Sequence, residues 1–237
     1  MRLLSAGAAK GVVEALVPDF RDQTGKEIDA TFGAVGALKA RLDSGEKCDS
    51  IVLTAQLIDL LAREDRVLSD TIAPLGSVST GITVREGDSR PDVSDAASLR
   101  TALLRAGAIY FPDPERATAG IHFMSVLREL GIERDVAARL RPHPNGATAM
   151  RALADHGRRG DIGCTQITEI RYTTGVTLVA PLPRGFDLST IYSAAVMRQS
   201  DNVDPARTFV RLLTGPDSAR LRRAGGFELA DIRPQRS

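Results

Sequence analysis

Leu3-Leu4-Ser5-Ala6-Gly7-Ala8-Ala9-Lys10, followed by Glu27-Ile28-Asp29-Ala30-Thr31-Phe32-Gly33-Ala34-Val35-Gly36-Ala37, decides the fold of this chain. A strand at Leu3–Ser5 enters a turn of small residues, and an amphipathic helix from Lys10 to Gln23 leaves it. The pattern then repeats: a strand at Glu27–Thr31, the turn Phe32–Ala37, and a second helix running to Asp43-Ser44-Gly45. Strands that alternate with helices in this way build a parallel α/β sheet. The first N–H groups of a helix have no intrahelical partner, so a bare loop at that point can receive an anion. The same small residues also let a helix pack close to its sheet, and one loop alone does not separate the two readings.

The rest of the chain continues the alternation. Ser50–Leu53 is a short apolar run, as a buried parallel strand requires. A helix is expected at Leu57–Ala62 and a strand at Val78–Val84, followed by the polar stretch Arg85–Asp92. Then come a helix at Asp95–Ala106, a strand at Ala108–Phe111, the stiff loop Pro112–Arg116, and a helix that opens at Ala117-Thr118-Ala119-Gly120 and reaches Leu130. The turn Pro144-Asn145-Gly146-Ala147-Thr148 precedes a helix at Met150–His156, and Asp161–Gln166 is a strand with a polar end. Strands at Val176–Pro181 and Tyr192–Met197 and helices at Asp204–Leu213 and Asp217–Ala224 complete the pattern, with Gly225-Gly226 as a helix stop and Asp231–Ser237 as a loose tail.

Composition narrows the function. The 237 residues suit one large domain or two lobes of about 100 residues each. Basic and acidic residues nearly balance (31 against 30), so nothing points to nucleic acid or an anionic membrane. Aromatic content of 4% without Trp argues against base or sugar stacking. No segment approaches the ~18 apolar residues of a membrane span, so the chain is not expected to be membrane-embedded. Cys48 and Cys164 read as two buried thiols, and no His, Cys or acidic spacing suggests a metal. No cofactor is expected, because neither a Gly-Lys-Ser/Thr phosphate loop nor a dinucleotide fingerprint occurs. Met1-Arg2 runs straight into the first strand. The chain is expected to be periplasmic if a leader has been removed, and cytoplasmic otherwise.

Four loops share one character: Ala6–Ala9, Gly33–Ala37, Thr118–Gly120 and Asn145–Ala147. In open α/β sheets such loops sit at the carboxyl ends of strands, where ligands bind. Taken together they favour a receptor for a small anion. The candidate ligand-binding residues are Gly7, Ala8, Ala9, Lys10, Val35, Gly36, Ala37, Thr118, Ala119, Gly120, Asn145, Gly146 and Ala147, with Gln166 at the end of its strand. Lys10 is either a cation for the ligand or a solvated first-turn side chain. His122, beside Phe123, is either a half-buried packing residue or a base.

These segments resemble the molybdate-type periplasmic solute-binding proteins of ABC transporters. Leu3–Ala9 is similar to that family's first strand and loop, and Thr31–Leu38 to its second. Asp49–Ala55 is similar to its Asp-containing strand, which adds Thr54 to the candidate site, and Thr118–Phe123 to its second-lobe helix opening. Asp161–Ile170 and Gly175–Pro183 resemble a subgroup known only as substrate-binding proteins. The resemblance implies an α/β, two-lobed, periplasmic-binding-protein-like fold of type II, with parallel-dominated sheets and crossing hinge strands. Lobe 1 would be residues 1–79 plus 196–237 and lobe 2 residues 80–195, with a ligand cleft between them. It also implies an ABC transporter permease as partner, and a monomer is expected.

The departures bear on the ligand. The molybdate binders place a Ser hydroxyl in each of the first two loops, where this chain has Ala8 and Val35, and a Tyr where it has Gln166. A buried anion needs its hydrogen bonds satisfied. The expectation therefore moves to an organic carboxylate. Two further functions stay open. Some relatives of the family are isomerases of unsaturated tricarboxylates of the aconitate type, which would put His122 or Lys10 in a catalytic role. A ligand-sensing module is the third.

Overall fold

The computed structural model describes residues 1–229; the tail read at Asp231–Ser237 lies outside them. β1 (Arg2–Ala6) passes through a 3-10 turn, Gly7–Ala9, into α1 (Lys10–Thr24). β2 (Asp29–Gly33), α2 (Val35–Asp43), β3 (Ser50–Thr54) and α3 (Ala55–Arg63) follow, and then a long β4 (Ala73–Arg85). The chain continues through α4 (Ala96–Arg105), β5 (Ile109–Pro112), α5 (Thr118–Glu129), the short α6 (Glu133–Val136), β6 (Leu140–His143) and α7 (Gly146–His156). β7 (Ile162–Gln166), α8 (Ile167–Tyr172), β8 (Val176–Pro181), β9 (Ser189–Val196), α9 (Val203–Thr214) and α10 (Ala219–Gly225) complete it.

Two compact units result. Of the described residues, the first holds Met1–Gly33, Leu38–Val78 and residues 190–229; the second holds Ala34–Ala37 and Ser79–Ser189. In the first unit β1 lies between β2 and β3 and is parallel to both, with Leu3 opposite Ala30 and Ser50. β9 runs antiparallel to β3, Ile51 facing Ala195. In the second unit β5 is parallel to β6 and β7. The Ser79–Arg85 part of β4 is antiparallel to β7, Thr80 facing Gln166, and to β8. Parallel strands end on one side of a sheet, so in each unit the loops that start the following helices share an edge.

Each unit has its own core. α1 buries Val12, Val13, Leu16 and Phe20, one stripe at helical spacing, and stops at Gly25, whose φ of 67° is the left-handed cap that glycine takes without strain. Phe20 meets Phe209 of α9 edge to face at 5.7 Å. In the second unit Ile82, Leu99, Phe111, Phe123, Ile162 and Cys164 form one cluster. Met150 and Ile170 form another, and Leu153 packs with Tyr110. Both cysteines are buried free thiols, as their isolation in the sequence suggests. Burial pushes Cys48 up to about 12 and Cys164 upward as well.

Several elements differ from the sequence reading. β6 was not expected: Leu140-Arg141-Pro142-His143 carries a proline and little burial, which reads as loop, yet an edge strand tolerates proline on its unpaired side. α8 follows β7 without a break, so no turn signal announces it. α7 starts at Gly146 rather than Met150, because Asn145 caps it. β2 sits two residues later than read, and β4 and β9 both begin earlier.

A buried arginine ties the C-terminal helices to the first unit. Arg222 is 5% exposed. Its guanidinium donates to the carbonyls of Leu75 (2.6 Å), Thr214 (2.8 Å) and Gly215 (2.7 Å), and Nε to the Ser218 hydroxyl. Among the described residues no carboxylate pairs with it; oriented carbonyl dipoles face the charge, and burial lowers its pKa. Truncation would leave those buried carbonyls unsatisfied. Arg222→Ala is expected to cost on the order of 3 kcal/mol in urea unfolding, and Arg222→Lys, which lacks the fork, to recover only part of it.

Candidate functional site

In the first unit, Gly7, Ala8 and Ala9 form a fully buried turn at the end of β1 and lead into α1. Ala9, the residue before α1, offers no side-chain cap, so the first-turn amides of this 15-residue helix depend on backbone, water or ligand. Thr54 stands at the same edge, before α3, and its side chain does not cap that helix. Lys10 is already engaged: its Nζ pairs with Glu14 and lies 5.1 Å from the centre of the Phe32 ring. Ala8 is 4% exposed and supplies no side-chain hydrogen bond.

The second unit holds the remaining candidates. Val35, Gly36 and Ala37 fall in this unit, where the Gly36 N–H donates to the Arg116 carbonyl at 3.0 Å. A Cβ on Gly36 would stand 2.9 Å from that oxygen, so the approach requires glycine. α5 starts at Thr118 after Ala117 with no side-chain cap. Gly120 is forced by packing as well, since a Cβ there would come within 2.2 Å of the Asp113 carbonyl oxygen. Thr118, Ala119 and Gly120 thus combine an uncapped first turn with a close-packed loop. His122, one turn further on, donates from Nε2 to the Phe186 carbonyl at 2.7 Å. A nitrogen that carries a proton toward a carbonyl cannot also act as a base.

α7 is different. The Asn145 side chain accepts from the Thr148 N–H and hydroxyl, both at 2.9 Å. The Ala147 N–H is taken by Glu169 of α8. Glu169 is 5% exposed and also accepts from the Thr165 hydroxyl at 2.6 Å and from the Gln166 N–H. Gln166 precedes α8 and Glu169 is its third residue, the arrangement of a capping box closed by a glutamate. Burial pushes the carboxyl up to about 7, while these hydrogen bonds pull it down. Gly146 cannot be larger, because a Cβ would lie 1.9 Å from Oε2 of Glu169.

Sequence reasoning missed Glu169, although a glutamate three residues after a strand end, within an otherwise apolar turn, was a usable signal. It also missed Thr80 and Thr168. Their hydroxyls are buried and have no hydrogen-bond partner among the described residues. Thr80 faces Gln166 across the β4–β7 pair, and Thr168 follows it by two residues. Buried hydroxyls without a protein partner are uncommon.

The glutamate has a pH signature. Its folded pKa exceeds the unfolded value of 4.5, so the native state holds the proton longer. The stability tied to that proton is fully present below pH 4.5 and is lost as pH rises toward about 7, a change of about 3 kcal/mol. The difference in unfolding free energy between the protein and Glu169→Gln should therefore move against the native sequence between pH 5 and 7.5 and level off above.

A family model described as bacterial extracellular solute-binding protein matches residues 1–228. A relative from a Pseudomonas species named aconitate isomerase is 24% identical over 243 aligned positions, covering 99% of this chain and 89% of that protein. The periplasmic molybdate-binding protein of Azotobacter vinelandii superposes with a TM-score of 0.77 at 18% identity, over 97% of this chain and 99% of that one. The sulfate-binding protein SubI of Mycobacterium tuberculosis H37Rv gives 0.71 at 18% identity, over 98% and 87%. At these identities the structures establish a shared fold, that of the periplasmic binding proteins.

Proposed function

This chain belongs to the bacterial extracellular solute-binding proteins, and from that premise we propose that it captures a small organic carboxylate, rather than molybdate, and delivers it to an ABC transporter permease. The observation that carries the reading is the kind of donor on offer. The first turns of α1 and α5 carry no side-chain cap. Ala8 and Val35 supply no hydroxyl; the polar side chains on offer are the hydroxyl of Thr54 in the first unit and, in the second, the amide of Gln166 and the hydroxyls of Thr80, Thr118 and Thr168. A compact tetrahedral oxyanion needs a closed shell of short hydrogen bonds. A carboxylate with an extended carbon skeleton can be held by a few backbone amides at one end and by amide and hydroxyl groups along its length.

The relative named aconitate isomerase supports a carboxylate as the class of molecule recognised, and it raises catalysis as a second reading. Against catalysis stand the two side chains first considered for it. His122 spends its Nε2–H on Phe186, and Lys10 is paired with Glu14.

Thermal-shift measurements over a panel of anions test the ligand class, because a ligand of the native state raises the melting temperature by mass action. Di- or tricarboxylates such as tricarballylate or trans-aconitate are expected to raise it, and micromolar molybdate, tungstate and sulfate to leave it unchanged. Gln166→Ala should weaken the bound acid by about 1–3 kcal/mol. A shift with molybdate and none with any carboxylate would overturn the reading. Proton NMR of trans-aconitate with the protein in deuterated water should show neither exchange nor a moved double bond; turnover would establish the isomerase.

A further inference from the structure

The edge of the second unit contains an anion of the protein's own. Glu169 is buried, and its carboxylate accepts from the Ala147 N–H at the start of α7, the Gln166 N–H and the Thr165 hydroxyl. Its Oε2 lies within 1.9 Å of where a side chain on Gly146 would begin, so the carboxylate is seated directly on the first turn of α7. The next amide of that turn, Thr148 N–H, belongs to Asn145. An oxyanion arriving at an N-terminus would use these same amides.

Among the described residues no charged side chain is a cause of this carboxyl's displaced ionisation. β7 and β8, which pack on α8, carry no charged residue. Arg151, Asp155 and His156 of α7 and Arg171 of α8 itself are exposed. None of these groups is among the causes of the displaced ionisation of Glu169: burial raises it and the three hydrogen bonds oppose the rise. A second negative charge brought to the same turn would meet an unscreened like charge.

We propose that Glu169 is the specificity-determining residue of the second unit: an internal carboxylate that occupies the α7 N-terminus, bars a ligand anion from it, and limits the number of carboxylates the protein accepts. The α7 loop, Asn145–Ala147, is then a self-satisfied element, and a ligand's charge in this unit is left to the uncapped first turn of α5. The limit on ligand charge rests on the carboxylate reading above; the internal occupancy of α7 does not.

Two measurements on the full chain test this separately. In the first, thermal unfolding is followed with sodium formate and acetate against sodium chloride. Glu169→Ala empties the seat, so formate and acetate should raise its melting temperature by several degrees beyond chloride, with little effect on the native protein or on Glu169→Gln, whose seat remains filled. If Glu169→Ala does not fold, Glu169→Ser carries the same comparison. Equal shifts in all variants, or none in the emptied one, would overturn the internal anion. In the second, calorimetry at pH 8.5, above the range in which Glu169 gives up its proton, compares tricarballylate with glutarate. Glu169→Gln, which removes the charge but keeps the shape, should raise the preference for the tricarboxylate at least threefold. A residue that merely held α8 in place would not move that ratio, and an unchanged ratio would overturn the specificity role. If neither acid binds any variant, the carboxylate reading fails, while the formate comparison still decides the occupancy of α7.

Discussion

The backbone amides at the start of helices are the constraint on which this structure turns. A parallel strand must be followed by a crossover, and here the crossover is a helix whose first turn opens at the carboxyl edge of the sheet. Those amides need partners. The protein meets the need in two ways. At α4 and α7 it spends a side chain, Asp95 or Asn145, on the third amide of the helix. At α1 and α5 it spends none. The difference separates helices that are complete in themselves from helices whose first turns can receive something from outside.

Glycine and alanine in these loops turn out to serve both readings that the sequence left open. Gly36, Gly120 and Gly146 are each required by an atom that a side chain would strike: the Arg116 carbonyl, the Asp113 carbonyl and the Glu169 carboxylate. Close packing therefore accounts for these glycines without a ligand. What favours binding is the missing caps together with the hydroxyls of Thr80 and Thr168, which have no partner among the described residues. Small residues alone do not make a receptor; unspent donors do.

The repeated strand, small-residue turn and amphipathic helix made the fold legible from residues 3–45, because hydrophobic period and chain-reversing residues are local signals. β6 was hidden by Pro142, and α8 by the lack of any turn before it. The site was read less completely. The loops could be found by composition, but which of their amides were already spent could not. Gly36 bonds to Arg116, and Ala147 to Glu169, through contacts far apart in sequence. For Lys10 and His122 the sequence left two readings open, and both side chains are engaged, by Glu14 and by the Phe186 carbonyl.

The most direct test of the account is a titration of the isotopically labelled protein with tricarballylate, followed amide by amide in proton–nitrogen NMR spectra. The backbone-donor account predicts the largest shifts in an uncapped first turn, at Gly7–Ala9 or at Thr118–Gly120, with Ala147 and Thr148 little changed because their hydrogen bonds stay inside the protein. Large shifts at Ala147 and Thr148, with α1 and α5 silent, would contradict it.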